Sequence, residues 1–218
     1  MTDFAELRER MVKRQIAARG IHDTRLLDAF RQVAREEFVS ADYRAEAYGD
    51  HPLPIAAGQT ISQPYIVALM IEAAGISPGE RVLEVGAGSG YAAAVISRIA
   101  TEVVAIERMP ELVELARERI ERLGYGNVRI VEGDGTRGWP DGAPYDSILV
   151  AASGTHVPQP LIDQLGIGGR LVMPVGGRAW VQQLVKLTKR SDRQTERENL
   201  TQVRFVPLIG AQGDESEC

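Results

Sequence analysis

Two hydrophobic rhythms divide the chain near residue 80. Before it, apolar positions recur at helical spacing: Phe4, Leu7, Met11 and Ala18 lie three, four or seven residues apart, and Gly20 ends the run. Asp23 then caps a second helix whose inward face is Leu26, Leu27, Phe30 and Val33. Residues 41–61 show no such period and carry two prolines in His51-Pro52-Leu53-Pro54, so they read as irregular. Ser62 is placed to cap a third helix with an early proline, Pro64, and a buried stripe of Ile66, Leu69, Met70 and Ala73.

Past residue 80, short β-branched runs take over. Arg81 to Val85, Val103 to Ile106, Val128 to Val131, Ser147 to Ala151 and Arg170 to Pro174 predict strands. A helix opens at Pro110, buries Val113, Ala116, Ile120 and Leu123 and stops at Gly124; another lies near residues 158–165. Strands alternating with helices imply a parallel sheet covered on both faces. Beyond Gly177 the helical spacing ceases. Val181 to Leu187 and Gln202 to Val206 predict two late strands joined by a charged loop at Arg190 to Asn199, and with no crossover helix these pair antiparallel. The expected fold is a doubly wound, mostly parallel, seven-stranded α/β sheet with antiparallel strands near the C-terminus and an N-terminal helical extension.

Composition narrows the function classes. The 218 residues are 44% apolar and 25% charged, which suits one globular domain: residues 1–60 an extension, 61–210 the core and 211–218 a tail. Twenty-five Lys and Arg against thirty Asp and Glu give −5, which argues against nucleic acid or an anionic membrane as partner. The lone cysteine, Cys218, is the last residue and reads as an inert tail. The start, Met1-Thr2-Asp3-Phe4-Ala5-Glu6, has neither a basic nor an apolar leader region, and no run reaches the roughly 18 apolar residues of a membrane span. A cytoplasmic protein, monomeric by default, is expected. His22, His51 and His156 are scattered without metal-ligand spacing.

The chemistry concentrates in Glu84-Val85-Gly86-Ala87-Gly88-Ser89-Gly90-Tyr91, a glycine loop between a strand and a helix. The dinucleotide fingerprint is G-x-G-x-x-G, whereas here the third glycine comes one residue early. Gly86, Gly88 and Gly90 let a ligand approach the backbone, and Glu84 is a candidate acceptor for an ammonium group. Glu107, ending the next strand, is placed to accept ribose hydroxyls. Asp134, beside Gly135 at the end of the third, is placed to accept from an adenine amino group. Each has a plainer reading: a ligand-free tight turn, a solvated strand-end carboxylate, an ordinary Asp-Gly turn. Together they set three carboxylates on one sheet edge, which suits a sulfonium-bearing, phosphate-free nucleoside better than a pyrophosphate. S-adenosylmethionine is the indicated cofactor.

At this point the chain resembles the protein-L-isoaspartate O-methyltransferase family over roughly residues 4 to 210. The most specific block is Gly58-Gln59-Thr60-Ile61-Ser62-Gln63-Pro64-Tyr65, preceded by Asp50-His51-Pro52-Leu53-Pro54-Ile55; Gly168 to Gly176 and Arg204-Phe205-Val206-Pro207-Leu208 match later blocks. The resemblance implies the S-adenosylmethionine methyltransferase type of sheet. It also implies methyl transfer to isoaspartyl carboxylates of damaged proteins and peptides, and repair through a succinimide. By position it makes Ser62 the active-site serine; Thr60 and the backbone around Ile61 are expected to help it hold the substrate carboxylate, and the alternative for Ser62 is helix capping alone. The chain departs from the family where Ala151-Ala152-Ser153-Gly154-Thr155-His156 replaces the common Ala-Ala-Pro-Glu, and at Ala34, where a proline is common. Two rival functions stay open: methylation of another carboxylate, and S-adenosylmethionine binding without catalysis.

Overall fold

The structure, a computed structural model, describes residues 2–177 and 181–213; Cys218 and the end of the tail lie outside them. Helix α1 (Phe4–Met11) runs through a π turn and a 3-10 turn to Gly20, whose φ of 96° ends it. The Asp23 side chain accepts the Arg25 N–H at 2.9 Å and so caps α2 (Thr24–Gln32), the capping expected from sequence. Residues 41–61 are more ordered than their composition suggests. They hold a 3-10 stretch (Ala41–Glu46) and a small antiparallel pair, β1 (Leu53–Pro54) with β2 (Thr60–Ile61).

Helix α3 (Pro64–Ala74) departs from expectation at two points. Its cap position is Gln63, with no side-chain bond, so Ser62 is left out of capping. Its buried residues include Val67, Ala68, Met70, Ile71 and Ala74, while Ile66, Leu69 and Ala73 are only half-buried. The helix lies between the sheet and the first helices and is apolar nearly all round, so spacing alone cannot choose its deeper face.

The sheet comprises β3 (Arg81–Val85), β4 (Glu102–Glu107), β5 (Val128–Glu132), β6 (Tyr145–Val150), β7 (Leu165–Val175), β8 (Gln182–Ser191) and β9 (Gln194–Val203), ordered β5-β4-β3-β6-β7-β8-β9. The first five pair in parallel; β7–β8 and β8–β9 pair antiparallel. Helices α4 (Tyr91–Ile96), α5 (Pro110–Arg122) and α6 (Gln159–Asp163) cross over between strands. The stretch Arg190 to Asn199 is therefore not a loop but the arms of a hairpin. The reason is compositional: β9 is exposed along most of its length and lacks the apolar alternation that would announce a strand, so its pairing with β8 defines it.

Alternation along the strands divides the core. Val82 and Val103 face the large cluster that also takes Met11, Phe30, Phe38 and Tyr91, while Leu83 and Val104 face a smaller one with Tyr145, Leu161 and Leu208. The N-terminal helices thus share the main core with the sheet. Strand order reverses around β3, with β4 and β5 to one side and β6 to the other, so a crevice opens at its carboxyl end. Among the described residues no helix is long and apolar enough to cross a membrane.

Candidate active site

That crevice is a cavity of about 230 Å³ lined by the ends of β3, β4 and β6, the β1–β2 segment and residues 205–209. Gln59, Thr60, Ile61, Ser62, Glu84, Gly86, Gly88, Glu107 and Gly135 all line it, so most residues singled out from sequence meet in one place. Gly90 and Asp134 are not on its wall. Gly90 is packed instead against α5, where an added Cβ would lie 3.5 Å from Ile120.

The loop after β3 turns through Gly86 (φ 89°) and Gly88 (φ 52°), left-handed values that a side chain would strain. Its amides are largely engaged. The N–H groups of Gly86 and Ala87 donate to the Ile106 carbonyl at 2.9 and 3.0 Å, and Gly88 N–H donates to Glu107 Oε2 at 2.9 Å. A pyrophosphate needs free amides, so the geometry bears out the choice of a phosphate-free ligand.

Period-two alternation puts Glu84 on the Val82 side of the sheet and Glu107 on the Val103 side, which is the same side. Glu84 is 2% exposed and its buried Oε2 has no hydrogen-bond partner among the described residues. Burial, and secondly the Glu107 carboxylate, push its carboxyl up to about 8. Glu107 is better served: Oε1 accepts from the N–H groups of Arg108 and Met109 at 2.8 and 3.0 Å, and Oε2 from Gly88. A carboxylate has roughly four acceptor positions, so Glu107 keeps capacity for one further donor.

Asp134 also has structural work within the fold. Its Oδ1 accepts from Thr136 N–H and the Thr136 hydroxyl at 3.0 and 2.6 Å, and Oδ2 accepts from Ala211 N–H at 2.8 Å. Burial alone would raise its pKa, but these donors and Arg137 hold it below the usual carboxylate range. It ties the returning C-terminal segment to the sheet, and the adjacent Gly135 reaches the cavity. That glycine is sterically required, because an added Cβ would lie 2.4 Å from a Val85 methyl.

The C-terminal segment forms the far wall. Ser153 N–H donates to the Val206 carbonyl at 2.8 Å and Leu208 N–H donates to the Ser153 carbonyl at 2.7 Å. The family's common proline would have no N–H for the first bond, so the departure at Ser153 fastens this wall.

Ser62 is half-buried, and its hydroxyl bonds to no described residue. Its carbonyl is held at 2.9 Å by Nη2 of Arg35, a side chain that is 0% exposed. Arg35 also donates to the Ala47 carbonyl at 2.7 Å and lies over the Tyr91 ring, 4.8 Å from its centroid. One buried cation therefore joins the serine segment to the first residue of α4. Sequence reasoning passed over Arg35, and nothing in the sequence sets it apart, since Arg31, Glu36 and Glu37 surround it with other charges. It also passed over Met109 and Leu112, which give the cavity a flat apolar side near Glu107.

The arrangement offers an unpaired acid for an ammonium, an acid with spare capacity for a hydroxyl, apolar walls for a purine and a free hydroxyl across from them. These fit S-adenosylmethionine. Comparison with known proteins agrees. The family model described as protein-L-isoaspartate(D-aspartate) O-methyltransferase (PCMT) matches residues 6–213. Protein-L-isoaspartate O-methyltransferase 1 of Rhodopseudomonas palustris strain HaA2 is 59% identical over 97% of this chain and 86% of its own. Protein-L-isoaspartate O-methyltransferase 2 of Pelobacter propionicus is 55% identical over 94% and 92%. A solved protein-L-isoaspartate O-methyltransferase superposes with a TM-score of 0.87 at 34% identity, covering 94% of this chain and 67% of that one. A Plasmodium falciparum beta-aspartate methyltransferase (PCMT) in complex with S-adenosyl-L-homocysteine gives 0.80 at 26%, covering 93% and 98%. The chain belongs to the protein-L-isoaspartate(D-aspartate) O-methyltransferase family.

Proposed function

We propose that the chain methylates the carboxylate of L-isoaspartyl residues in damaged proteins and peptides from S-adenosylmethionine, with Ser62 aiming the acceptor oxygen. Residues 61–210 form the cofactor-binding core and 1–60 the substrate-side extension. Glu84 takes the cofactor ammonium, Glu107 a ribose hydroxyl, and Met109 and Leu112 flank the purine. When bound, the cofactor supplies a methyl carbon whose leaving group is a neutral thioether.

What remains for the protein follows from elementary chemistry. A carboxylate with a pKa of about 4 is already ionised at neutral pH, so no general base is needed, and a neutral leaving group needs no acid. The site's task is orientation and exclusion of water, worth several kcal/mol when reacting groups are held in line. Ser62 orients one oxygen, with Thr60 and the backbone at Ile61 beside it, and leaves the other electron-rich. Two hydrogen bonds to the attacking oxygen would aim it but also quench it. The resulting methyl ester carries a leaving group that the carboxylate lacks, so the neighbouring backbone nitrogen attacks the ester carbonyl, methanol departs and a succinimide closes, whose hydrolysis partly restores aspartyl linkage.

The observation that carries this reading is the buried, unpartnered Glu84 oxygen beside a loop whose amides are already bonded. The acidic balance and lone cysteine support a cytoplasmic setting, with proteins and peptides rather than nucleic acid or membrane as partners. A panel of isoaspartyl peptide, its aspartyl twin and small carboxylic acids with labelled cofactor is the test. Label in the isoaspartyl peptide alone is expected; label chiefly in a small acid or the aspartyl twin overturns the substrate assignment.

A further inference from the structure

A groove leads from solvent to Ser62 and shares Thr60, Ala151, Phe205 and Val206 with the cofactor cavity. Its walls carry an apolar pair exposed to solvent, Val181 at 44% and Val206 at 37%. Among the described residues lining it, one side chain is charged: Arg204, which is exposed and enters no ion pair with another described residue. Among the described residues no acidic side chain lines the groove, whereas the cavity beyond it holds Glu84 and Glu107.

Arg204 is presented from a fixed backbone. The buried Gln182 side chain accepts Phe205 N–H at 2.8 Å and donates to the Phe205 carbonyl at 3.4 Å, while the Val206 carbonyl is bonded to Ser153. The run after β9 is thereby anchored at Phe205 and Val206, which sets Arg204 on the wall of the groove that leads to Ser62. A peptide lying here brings a residue on either side of the isoaspartyl unit, and the charge of that residue meets Arg204 without competition from an acid among the described lining residues.

We propose that Arg204 is a specificity determinant that reads the charge next to the isoaspartyl residue, favouring acidic over basic neighbours. This rests on Ser62 marking the acceptor end of the groove. The test compares three isoaspartyl peptides that differ only in carrying Glu, Gln or Lys beside the damaged residue, the change being made in turn before and after it. A half-exposed ion pair predicts that kcat/KM for the Glu peptide exceeds that for the Lys peptide by about fivefold, expressed through KM and shrinking at high ionic strength. Arg204→Gln brings the ratio to about one and Arg204→Glu inverts it, an inversion that a merely structural role would not produce. An equal ratio in wild type, or one that persists in Arg204→Gln, overturns the proposal. Failure of all three peptides as substrates overturns the isoaspartyl reading beneath it, and the proposal with it.

Discussion

Glu84 and Ser62 line one cavity, and the roles proposed for them have opposite needs, a cation for the first and an anion for the second. With its carboxyl pushed up to about 8 by burial and by Glu107, Glu84 carries a proton at neutral pH. The sign of the effect on stability is set by this shift. The unfolded chain ionises near the ordinary glutamate value of 4.5 and the folded one near 8, so the folded state binds more protons between them. Stability of the ligand-free protein from this group is full below the lower value and declines as pH rises through the upper one. Ligand binding reverses the preference, because an ammonium favours the carboxylate. Affinity for S-adenosylhomocysteine should therefore rise with pH up to about 8, by at most about tenfold per unit. Titration calorimetry in buffers of different ionisation heat should show a proton released at pH 7; no release, or uptake, contradicts the role given to Glu84. For Ser62→Ala, the loss of one positioning hydrogen bond in an enclosed site predicts a fall in kcat of about 10- to 100-fold. S-adenosylhomocysteine affinity should stay unchanged, and near-normal turnover would remove Ser62 from the mechanism.

Between residues and the whole lie the segments that close the site. The wall at residues 205–209 is held by the two backbone bonds at Ser153 and by Asp134 accepting from Ala211. Ser153→Pro removes a single N–H donor, which predicts a stability loss of about 1 kcal/mol and a faster dissociation of S-adenosylhomocysteine in stopped-flow measurements. An unchanged dissociation rate would mean that this wall does not hold the ligand. Asp134 illustrates what sequence cannot carry: its strand-end position was legible, but its partner is 77 residues away in the chain. The β8–β9 hairpin is the other example. Inward and outward residues of β9 are almost equally polar, so no period marks the strand, and only pairing reveals it. Helices α2 and α5 were legible for the converse reason, since each buries a single apolar stripe beneath a capped or proline-led start.

Across the whole molecule, the strand-helix alternation gave the parallel sheet and its reversal around β3, and so the place where a ligand binds. The glycine loop, Glu84 and Glu107 could be named from sequence because motif spacing fixes local geometry, and the Thr60 to Ser62 segment because its block resembles the family's. Arg35 could not, because burying a guanidinium between the serine segment and α4 depends on helices that meet only in three dimensions. The account rests on a geometry in which the sheet edge grips a nucleoside while the serine segment faces its reactive end. A crystal structure with S-adenosylhomocysteine bound tests it most directly. The ammonium should lie within hydrogen-bond reach of Glu84, a ribose hydroxyl on Glu107, and the sulfur toward Ser62. A nucleoside seated away from Glu84 and Glu107, or with its sulfur turned from Ser62, would contradict the account.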